Sequence, residues 1–543
     1  MLQTLNKLNI MKHINIKQVF LVMAGVLLCC TSCNKYLDTT PDNRTEINSV
    51  EKVSQLLASA YPKASYAAMV DARCDFVVDK GKGQENNSNT YAFYWRDVAD
   101  VSQDTPNWFW QKCYFSIAEV NHALEAINNL SPEEQKEVVP FIGEAYMIRA
   151  FSHFLVASLY SNYFTDTPQT AVGVPYVDEP ETVVIKQYER GTVASIKESI
   201  EKDMLEGFKL IGTDAMYKVP RYHFNSKAAN AFAARFYLYN GDWAKVIEHA
   251  SKVIPVPATF LENGNVAADD PAYVYIDNNF QPWTGQYQTV PSSDDIKSYF
   301  TNGNNPSNLL LTEMSSRISR YANTWRYGVG GATKDELYST TVAGAKLGYR
   351  SYSSSSTHYY IPKYREHFVK ASINASTGTI YTIFPYFRNE EVLLNRAEAY
   401  AMLDQYQNAI NDLNLFFRKL IKDYSETSNV VTEEKLLSFY EDDIENTENF
   451  LNKYNAYDAA SWEGIKKALI LCILDLRNQE FKWEGLRYWD LMRYKIPVTH
   501  ANLAGDTNTL YPGDDRWILQ IPEEATLSGL ELNPRENLLS KEW

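Results

Sequence analysis

Two distant segments of this chain repeat the same order of residue types, and this repeat restricts the possible fold more than any other feature. Residues 234–247 and 397–410 each begin with alanines and aromatics and then pass through a polar turn. One aromatic residue follows the turn, Trp243 in the first segment and Tyr406 in the second, before a new apolar periodicity begins. Because small residues let two helices pack closely, each segment predicts a helical hairpin.

Both hairpins have the tetratricopeptide pattern of paired amphipathic helices. Two copies so far apart in sequence cannot form a simple tandem array, so a long insertion must separate them. Helical periodicity fades between residues 257 and 384, where Gly, Asn, Ser, Thr, Pro and aromatic residues accumulate. We expect this insertion, residues 257–384, to consist of long loops with short strands and helices and to carry binding specificity.

Helical periodicity dominates the rest of the chain up to about residue 495. Residues 193–208 place apolar side chains on one face behind Thr192, a residue type that caps helix N-termini. The sequence therefore predicts a mostly α-helical fold: a scaffold of tetratricopeptide-type hairpins carrying one long insertion rich in loops and aromatics. We expect the helical core at residues 50–256 and 385–495 and an irregular C-terminal tail at 496–543.

The N-terminus has the layout of a bacterial lipoprotein signal. Lys12 and Lys17 precede an apolar run at residues 19–30 that is too short to cross a bilayer. Small residues then lead directly to Cys33, which predicts removal of residues 1–32 and lipid attachment at that cysteine. The alternative is an ordinary cleaved signal with incidental cysteines, and translation starts at either Met1 or Met11.

Charge and residue spacing exclude several classes of function. A net charge of −15 and a pI near 5.2 argue against nucleic-acid binding, which needs a basic surface. Cys74, Cys113 and Cys472 are too scattered for a disulfide framework or a metal site. The histidines show no metal-ligand spacing and the serines no nucleophile elbow, so we expect no metal and no cofactor.

One charged segment near the C-terminus invites an enzymatic interpretation. Paired carboxylates such as Glu480 and Glu484, one helical turn apart, are what glycosidases use. However, arginines occur at helical steps on the same side of the helix as these carboxylates. A general acid needs a raised pKa, whereas a neighbouring arginine lowers the pKa of a carboxyl group. The pattern favours a structural ion network that pins a helix. Its members are Arg477, Glu480, Glu484, Arg487, Asp490 and Arg493.

Aromatic residues in loops are the best candidates for ligand contacts. The chain has 38 tyrosines, 11 tryptophans and 24 phenylalanines. Sugar rings have apolar faces that stack on aromatic rings, while polar neighbours bind the hydroxyls. The alternative is that these rings pack down into the helical scaffold. The candidate ligand contacts are Tyr91, Trp95, Trp283, Tyr287, Trp325 and Tyr327.

A set of short motifs resembles the SusD/RagB family, and the motifs span nearly the whole chain in family order. Asn478 stands where the family usually has arginine, and the insertion matches only loosely. The motifs are CNKYLDTTP at 33–41, the stretch 110–127 with Tyr114, Ile117 and Asn121, GEAYMIRA at 143–150 leading to Tyr160, SKAA at 226–229 leading to GDW at 241–243, RNEEV at 388–392 with AEA at 397–399, NQE at 478–480, EGLR at 484–487, DLMR at 490–493, LQIP at 519–522 and NP at 533–534.

The resemblance implies a nutrient-binding lipoprotein of the outer membrane in Bacteroidota, lipid-anchored, facing the cell exterior and lacking enzymatic activity. It also implies a partner, a TonB-dependent transporter of the SusC/RagA type. We expect the chain to capture glycans, and three alternatives remain. They are capture of oligopeptides, as in RagB-like members, a lipid-anchored glycoside hydrolase acting through Glu480 and Glu484, and a cytoplasmic tetratricopeptide scaffold, which Cys33 disfavours.

Overall fold

The computed structural model of the chain describes residues 47–539, apart from 184, 263, 281–291, 350, 354–358, 447, 449, 452–453 and 455. Most regular structure in this part of the chain is helical, as predicted. The α-helices are α1 Val50–Ser59, α2 Ala67–Val70, α3 Asn87–Phe93, α4 Pro106–Ile127, α5 Pro132–Glu137, α6 Val139–Tyr160, α7 Val193–Leu210, α8 Ser226–Asn240, α9 Trp243–Val253, α10 Pro271–Asn279, α11 Ser293–Phe300, α12 Ile318–Asn323, α13 Gly331–Leu337, α14 Asn389–Met402, α15 Tyr406–Leu420, α16 Glu433–Phe439, α17 Glu441–Glu445, α18 Gly464–Glu480 and α19 Leu486–Arg493.

The strands are short and form small antiparallel sheets. They are β1 Val78–Asp79, β2 Asn308–Ser315, β3 Tyr327–Gly328, β4 Tyr352–Ser353, β5 Tyr359–Tyr360, β6 Glu366–Lys370, β7 Gly378–Arg388, β8 Val498–Ala501 and β9 Thr507–Leu510. The largest sheet has the order β2-β7-β6, and β7 ends where α14 begins. Three further pairs, β1 with β3, β4 with β5 and β8 with β9, join segments outside that sheet.

Helix α6 is the centre of the N-terminal half and packs against α4 and α7. The predicted cap of α7 is present, because the Thr192 side chain accepts a hydrogen bond from the backbone N–H of Ser195 at 3.1 Å. Close contact between α6 and the end of α7 requires a glycine. A Cβ on Gly143 would lie 2.4 Å from the backbone nitrogen of Ile211. A small residue thus sets the spacing of this helix pair.

The two predicted hairpins are present and contact each other. Helices α8 and α9 form the first and α14 and α15 the second, and α9 packs directly on α14. Gly241, with φ of 71°, ends α8 in the left-handed conformation that lets the chain reverse. The tetratricopeptide-type scaffold predicted from the sequence is therefore confirmed. The insertion between the hairpins contains the β2-β7-β6 sheet, and α18 then packs against the second hairpin.

The three cysteines of the described part of the chain, Cys74, Cys113 and Cys472, are buried free thiols. Burial raises the pKa of each thiol well above its ordinary value. Among the helices that the structure describes, none has both the length and the hydrophobicity to cross a bilayer. Cys33 and the predicted signal lie outside the described residues.

Candidate functional site

Two of the loop segments predicted to hold ligand contacts lie side by side. Strand β1 pairs antiparallel with β3, so that Asp79 faces Tyr327. After β1, Gln84 forms a β-bridge with Trp325, through backbone hydrogen bonds to the residues before and after Trp325. The chain segment that holds Tyr91 and Trp95 is therefore tied to the segment that holds Trp325 and Tyr327.

Four rings stack into a continuous column beneath this junction, here called the aromatic ladder: Trp95, His500, Phe93 and Tyr327. The centroid of His500 lies 4.6 Å from that of Trp95 and 4.3 Å from that of Phe93. Phe93 in turn stacks on Tyr327 at 4.3 Å. The ladder joins α3, β3 and β8, three elements remote in sequence, and holds their relative positions.

Three of the predicted ligand contacts are buried in or beside the ladder. Trp95 has 0% of its surface exposed, Trp325 5% and Tyr327 2%. The Trp95 indole N–H donates to the backbone oxygen of Arg73, and the Trp325 ring stacks on Tyr321 at 4.8 Å. In this conformation none of the three offers a ring face to a ligand, so these rings pack into the scaffold, as the alternative interpretation expected. Trp283 and Tyr287 lie outside the described residues.

Helix α3 carries the fourth candidate, Tyr91, and presents it at the surface. The Asn86 side chain caps α3 by accepting from the backbone N–H of Asn89 at 2.8 Å, and its amide donates to the hydroxyl of Tyr321 at 2.9 Å. Tyr91 and Tyr94, three residues apart, then lie on neighbouring positions of one helix face. Both are half-buried, so each leaves part of its ring open to solvent.

Charged and amide side chains lie on the same paired segments as these two tyrosines. The Arg96 guanidinium lies 5.3 Å from the centroid of the Tyr94 ring. Arg326 lies over Tyr327 at 5.2 Å and donates to Asp79 at 2.7 Å and to Glu85 at 2.8 Å. We name this surface the tyrosine rim. It comprises Gln84, Glu85, Tyr91, Tyr94, Arg96 and Arg326.

Below the tyrosine rim lies an isolated cation, Lys80. Only 6% of the surface of this residue is exposed, and its buried ammonium makes no hydrogen bond to any described residue. Burial lowers the pKa of this lysine to about 8. The group is close to β3, because a Cβ on Gly328 would lie 3.3 Å from its nitrogen.

The sequence analysis predicted only some of the residues of the tyrosine rim. Tyr94 could have been selected with Tyr91 from their helical spacing. Arg326 and Glu85 carried no sequence signal, because their pairing depends on contact between segments more than two hundred residues apart.

The two candidate acids, Glu480 and Glu484, lie in the interior with 0% and 3% of their surfaces exposed. The expectation about their partners was wrong. Arg388 lies 2.8 Å from Glu480 and 3.1 Å from Glu484, and Lys363 donates to Glu484 at 2.5 Å. Their cations thus come from the insertion and from the end of β7, not from the arginines of their own segment.

Those arginines bind other carboxylates. Arg477 and Arg493 both bind Asp490 at 2.8 Å. Arg493 also binds Glu398 at 2.6 Å, and Arg487 pairs with Asp75. All four members of the segment named here are buried, and their contacts join α18 and α19 to α14 and to the N-terminal segment.

Burial also reverses the expected direction of one pKa shift. It raises the pKa of Glu480 to about 7, and this effect outweighs the opposing attraction of Arg388. A raised pKa suits a general acid, but Glu480 has no solvent-exposed surface through which to reach a substrate. Tyr349 donates its hydroxyl to the same carboxylate at 2.5 Å, which completes its enclosure.

Metal binding has no evident place in the described residues, where no cluster of His, Cys, Asp and Glu side chains is arranged to hold an ion. The acidic run around α17 is solvent-exposed: Glu441, Asp442, Asp443 and Glu445 all face water.

Two sequence models of known families match this chain. One, a SusD-like model described as "Starch-binding associating with outer membrane", matches residues 35–238. The other, the model of the SusD family that includes RagB, matches residues 290–517. The chain belongs to the SusD/RagB family. The resemblance found in its motifs is thereby confirmed. The second match covers both helices of the second hairpin of this SusD/RagB protein, whereas the first match ends within α8.

Solved structures share its fold along nearly the full length. A putative sugar binding protein from Bacteroides vulgatus has a TM-score of 0.62 and 17% identity, covering 90% of this chain and 99% of that chain. A SusD superfamily protein from Bacteroides fragilis has a TM-score of 0.61 and 17% identity, covering 89% and 99%. Another, from Bacteroides thetaiotaomicron, has a TM-score of 0.57 and 17% identity, covering 90% and 100%. No curated protein sequence matches.

Proposed function

We propose that this SusD/RagB protein is a non-catalytic lipoprotein that captures glycans at the cell surface and passes them to a TonB-dependent transporter of the SusC/RagA type. The observation that carries glycan capture is the tyrosine rim, where half-open rings lie among charged and amide groups. Family membership supports the same conclusion, because one matching family model is described as starch-binding. A structural relative with the same fold is titled as a putative sugar binding protein.

The tyrosine rim has the chemistry that a sugar requires. The exposed parts of Tyr91 and Tyr94 offer apolar area to a pyranose face. Glu85, with about half of its side chain exposed, accepts hydroxyl hydrogen bonds, while Arg326 and Arg96 donate them. A few such anchors are sufficient for shallow capture. The buried ladder beneath keeps the rim in place before a ligand arrives, which reduces the entropic cost of binding.

Isothermal titration against a panel of malto-, xylo-, manno- and fructo-oligosaccharides tests glycan capture. We expect at least one series to bind, and Tyr91→Ala and Tyr94→Ala each to weaken it about tenfold, the loss of one stacking contact. Phe439→Ala is a matched control, since Phe439 is 47% exposed and remote in sequence from the rim. Absence of binding to every glycan, with binding to peptides in the same assay, would replace this proposal by oligopeptide capture.

A lipid on Cys33 would anchor the protein to a membrane. The outer membrane is the proposed location, with the protein facing the exterior. Mass spectrometry of the N-terminal peptide from native membranes measures the modification directly. We expect cleavage before Cys33 with acyl chains attached, and a soluble product from Cys33→Ala but not from Cys29→Ala. An unacylated or unprocessed terminus would refute the anchor.

The transporter partner is tested separately, by purifying the tagged protein from solubilised outer membranes. We expect a TonB-dependent transporter of the SusC/RagA type to accompany it in stoichiometric amount.

The proposal of a non-catalytic role is supported by the enclosure of Glu480 and Glu484. We expect no reducing ends to be released from any glycan that binds. Release that disappeared in Glu480→Gln would establish a glycoside hydrolase instead.

A further inference from the structure

A cleft separate from the tyrosine rim opens where three segments meet. Residues 162–166 that follow α6, the end of α19 with Lys495, and residues 512–518 line a cavity of about 430 Å³. This volume lies within the range of small-ligand sites in proteins, roughly 300–1,000 Å³. None of the candidate ligand contacts selected from the sequence lines it.

An aromatic ring forms one wall of this cleft. Phe164 is half-buried, so part of its ring is open to the cavity that it lines. Its ring packs edge-on against Tyr163 at 5.3 Å and Tyr239 at 5.5 Å, which restricts its movement. Met492 and Ile518, both partly exposed, extend the apolar wall. The cleft therefore offers a pre-positioned apolar surface.

The lining of the cleft is polar, and its carboxylates, those of Asp166, Asp514 and Asp515, outnumber its one cation, Lys495. Lys495 donates to Asp166 at 2.9 Å, and their side chains are 36% and 83% exposed. An ion pair so exposed is weak, because water screens both charges, so its groups exchange partners readily. The exposed amide of Asn162 adds both a donor and an acceptor to the same lining.

We infer that this cleft, here called the Phe164 cleft, binds one pyranose unit of a neutral glycan. One face of the sugar stacks on Phe164, and its hydroxyls donate to Asp166 and accept from Lys495 and Asn162. The excess of carboxylates in the lining disfavours a phosphate or a carboxylate ligand and provides acceptors for the hydroxyls of a neutral polyol. The inference rests on the proposed function and adds a second contact to it.

Methyl NMR on the soluble chain beginning after Cys33 tests the inference, because methionines report on both surfaces. Met492 lines the Phe164 cleft, whereas Met69 lies beside Ala92 under the tyrosine rim. Met492→Leu and Met69→Leu assign the two ¹³C-methyl signals. The probes are the oligosaccharide panel used for titration and a panel of unmodified tripeptides.

We expect a neutral oligosaccharide to shift the Met492 signal and Phe164→Ala to weaken that response about tenfold. Asp166→Asn, at a residue too exposed to unfold the chain, should weaken it roughly threefold. Phe115→Ala is the control, since Phe115 is 57% exposed on α4 and should leave the response unchanged.

Each other result overturns the inference in a recognisable way. If glycans shift Met69 but not Met492, the Phe164 cleft is not a sugar site while the proposed function stands. If only tripeptides shift Met492, the cleft binds peptides. If glycans shift neither signal and titration detects no binding, both the inference and the proposed function fail.

Discussion

The imidazole of His500 stacks on the ring of Phe93 with centroids 4.3 Å apart and ring planes 7° apart. The two residues belong to β8 and α3, so this contact ties the C-terminal hairpin to the helix that carries the tyrosine rim. Both imidazole nitrogens also lie near backbone oxygens, those of Phe93 at 2.7 Å and Cys74 at 2.9 Å. The geometry of the rim thus depends on a buried residue that does not itself meet solvent.

Replacing His500 with alanine is expected to destabilise the protein by about 3 kcal/mol, because a buried ring is lost and backbone oxygens lose a partner. Urea denaturation followed by circular dichroism measures the change. The control is His122→Ala, whose side chain is 45% exposed and should change stability by no more than about 0.5 kcal/mol. Equal stability of the two variants would show that the ladder contributes nothing.

Alanine substitutions at two glycines, Gly485 and Gly505, distinguish the cost of a steric clash from the cost of backbone strain. The φ of Gly485 is 80°, and a Cβ there would lie 2.5 Å from the Tyr66 ring, so Gly485→Ala introduces both a strained backbone and a clash. Gly505 is the matched control, with φ of 85° and nothing within 4 Å of the same added atom.

We expect Gly505→Ala to cost about 1 kcal/mol from strain alone. Gly485→Ala should cost several kcal/mol more, and chemical denaturation compares the two. A similar cost for both would mean that the Tyr66 contact relaxes freely.

Glu480 should make stability depend on pH in the neutral range. Three carboxylates, those of Glu390, Glu480 and Glu484, surround the cations Arg388 and Lys363, so one proton relieves the excess negative charge. Burial raises the pKa of Glu480 to about 7, above its ordinary value of 4.5. The folded state therefore binds the proton more tightly, and this stabilisation is complete below pH 4.5 and is lost as the pH rises through 7.

Glu480→Gln should remove that dependence. Relative to the natural protein, the variant is expected to gain about 3 kcal/mol of stability between pH 4.5 and pH 8. Denaturation at a series of pH values measures the difference, and exposed Glu133→Gln should follow the natural profile. A difference that stays constant with pH would contradict the assignment.

The buried Lys80 should make the stability of the protein depend on pH in a higher range. Burial lowers its pKa from 10.5 to about 8, so the unfolded chain binds more protons between these values and stability rises with pH across that window. Lys80→Met should remove the cost of burying the charge and stabilise the protein at pH 7 by about 1–3 kcal/mol. Lys82→Met, at the exposed neighbour, is the control. Lower stability of Lys80→Met would show that the ammonium has a partner it needs.

Local patterns in the sequence predicted the helical scaffold well. The apolar periodicity behind Thr192 corresponds to helix α7, and both hairpins around Trp243 and Tyr406 formed where the repeat indicated. These features depend on interactions within a few residues, such as capping and i,i+4 packing, so they are visible in a linear pattern. The family motifs identified the family of the chain, because they occur in the family's order along the sequence.

The sequence by itself determined a helical SusD/RagB scaffold with aromatic loops, and the tertiary structure alone decided which aromatic faces reach solvent. Trp95 and Tyr91 stand in the same polar context, yet pairing of β1 with β3 and stacking on His500 bury the first and leave the second half-open. Likewise, Glu480 pairs with Arg388, a residue far away along the chain. Burial and ion pairing depend on contacts between remote segments, and a linear pattern contains no record of which segments meet.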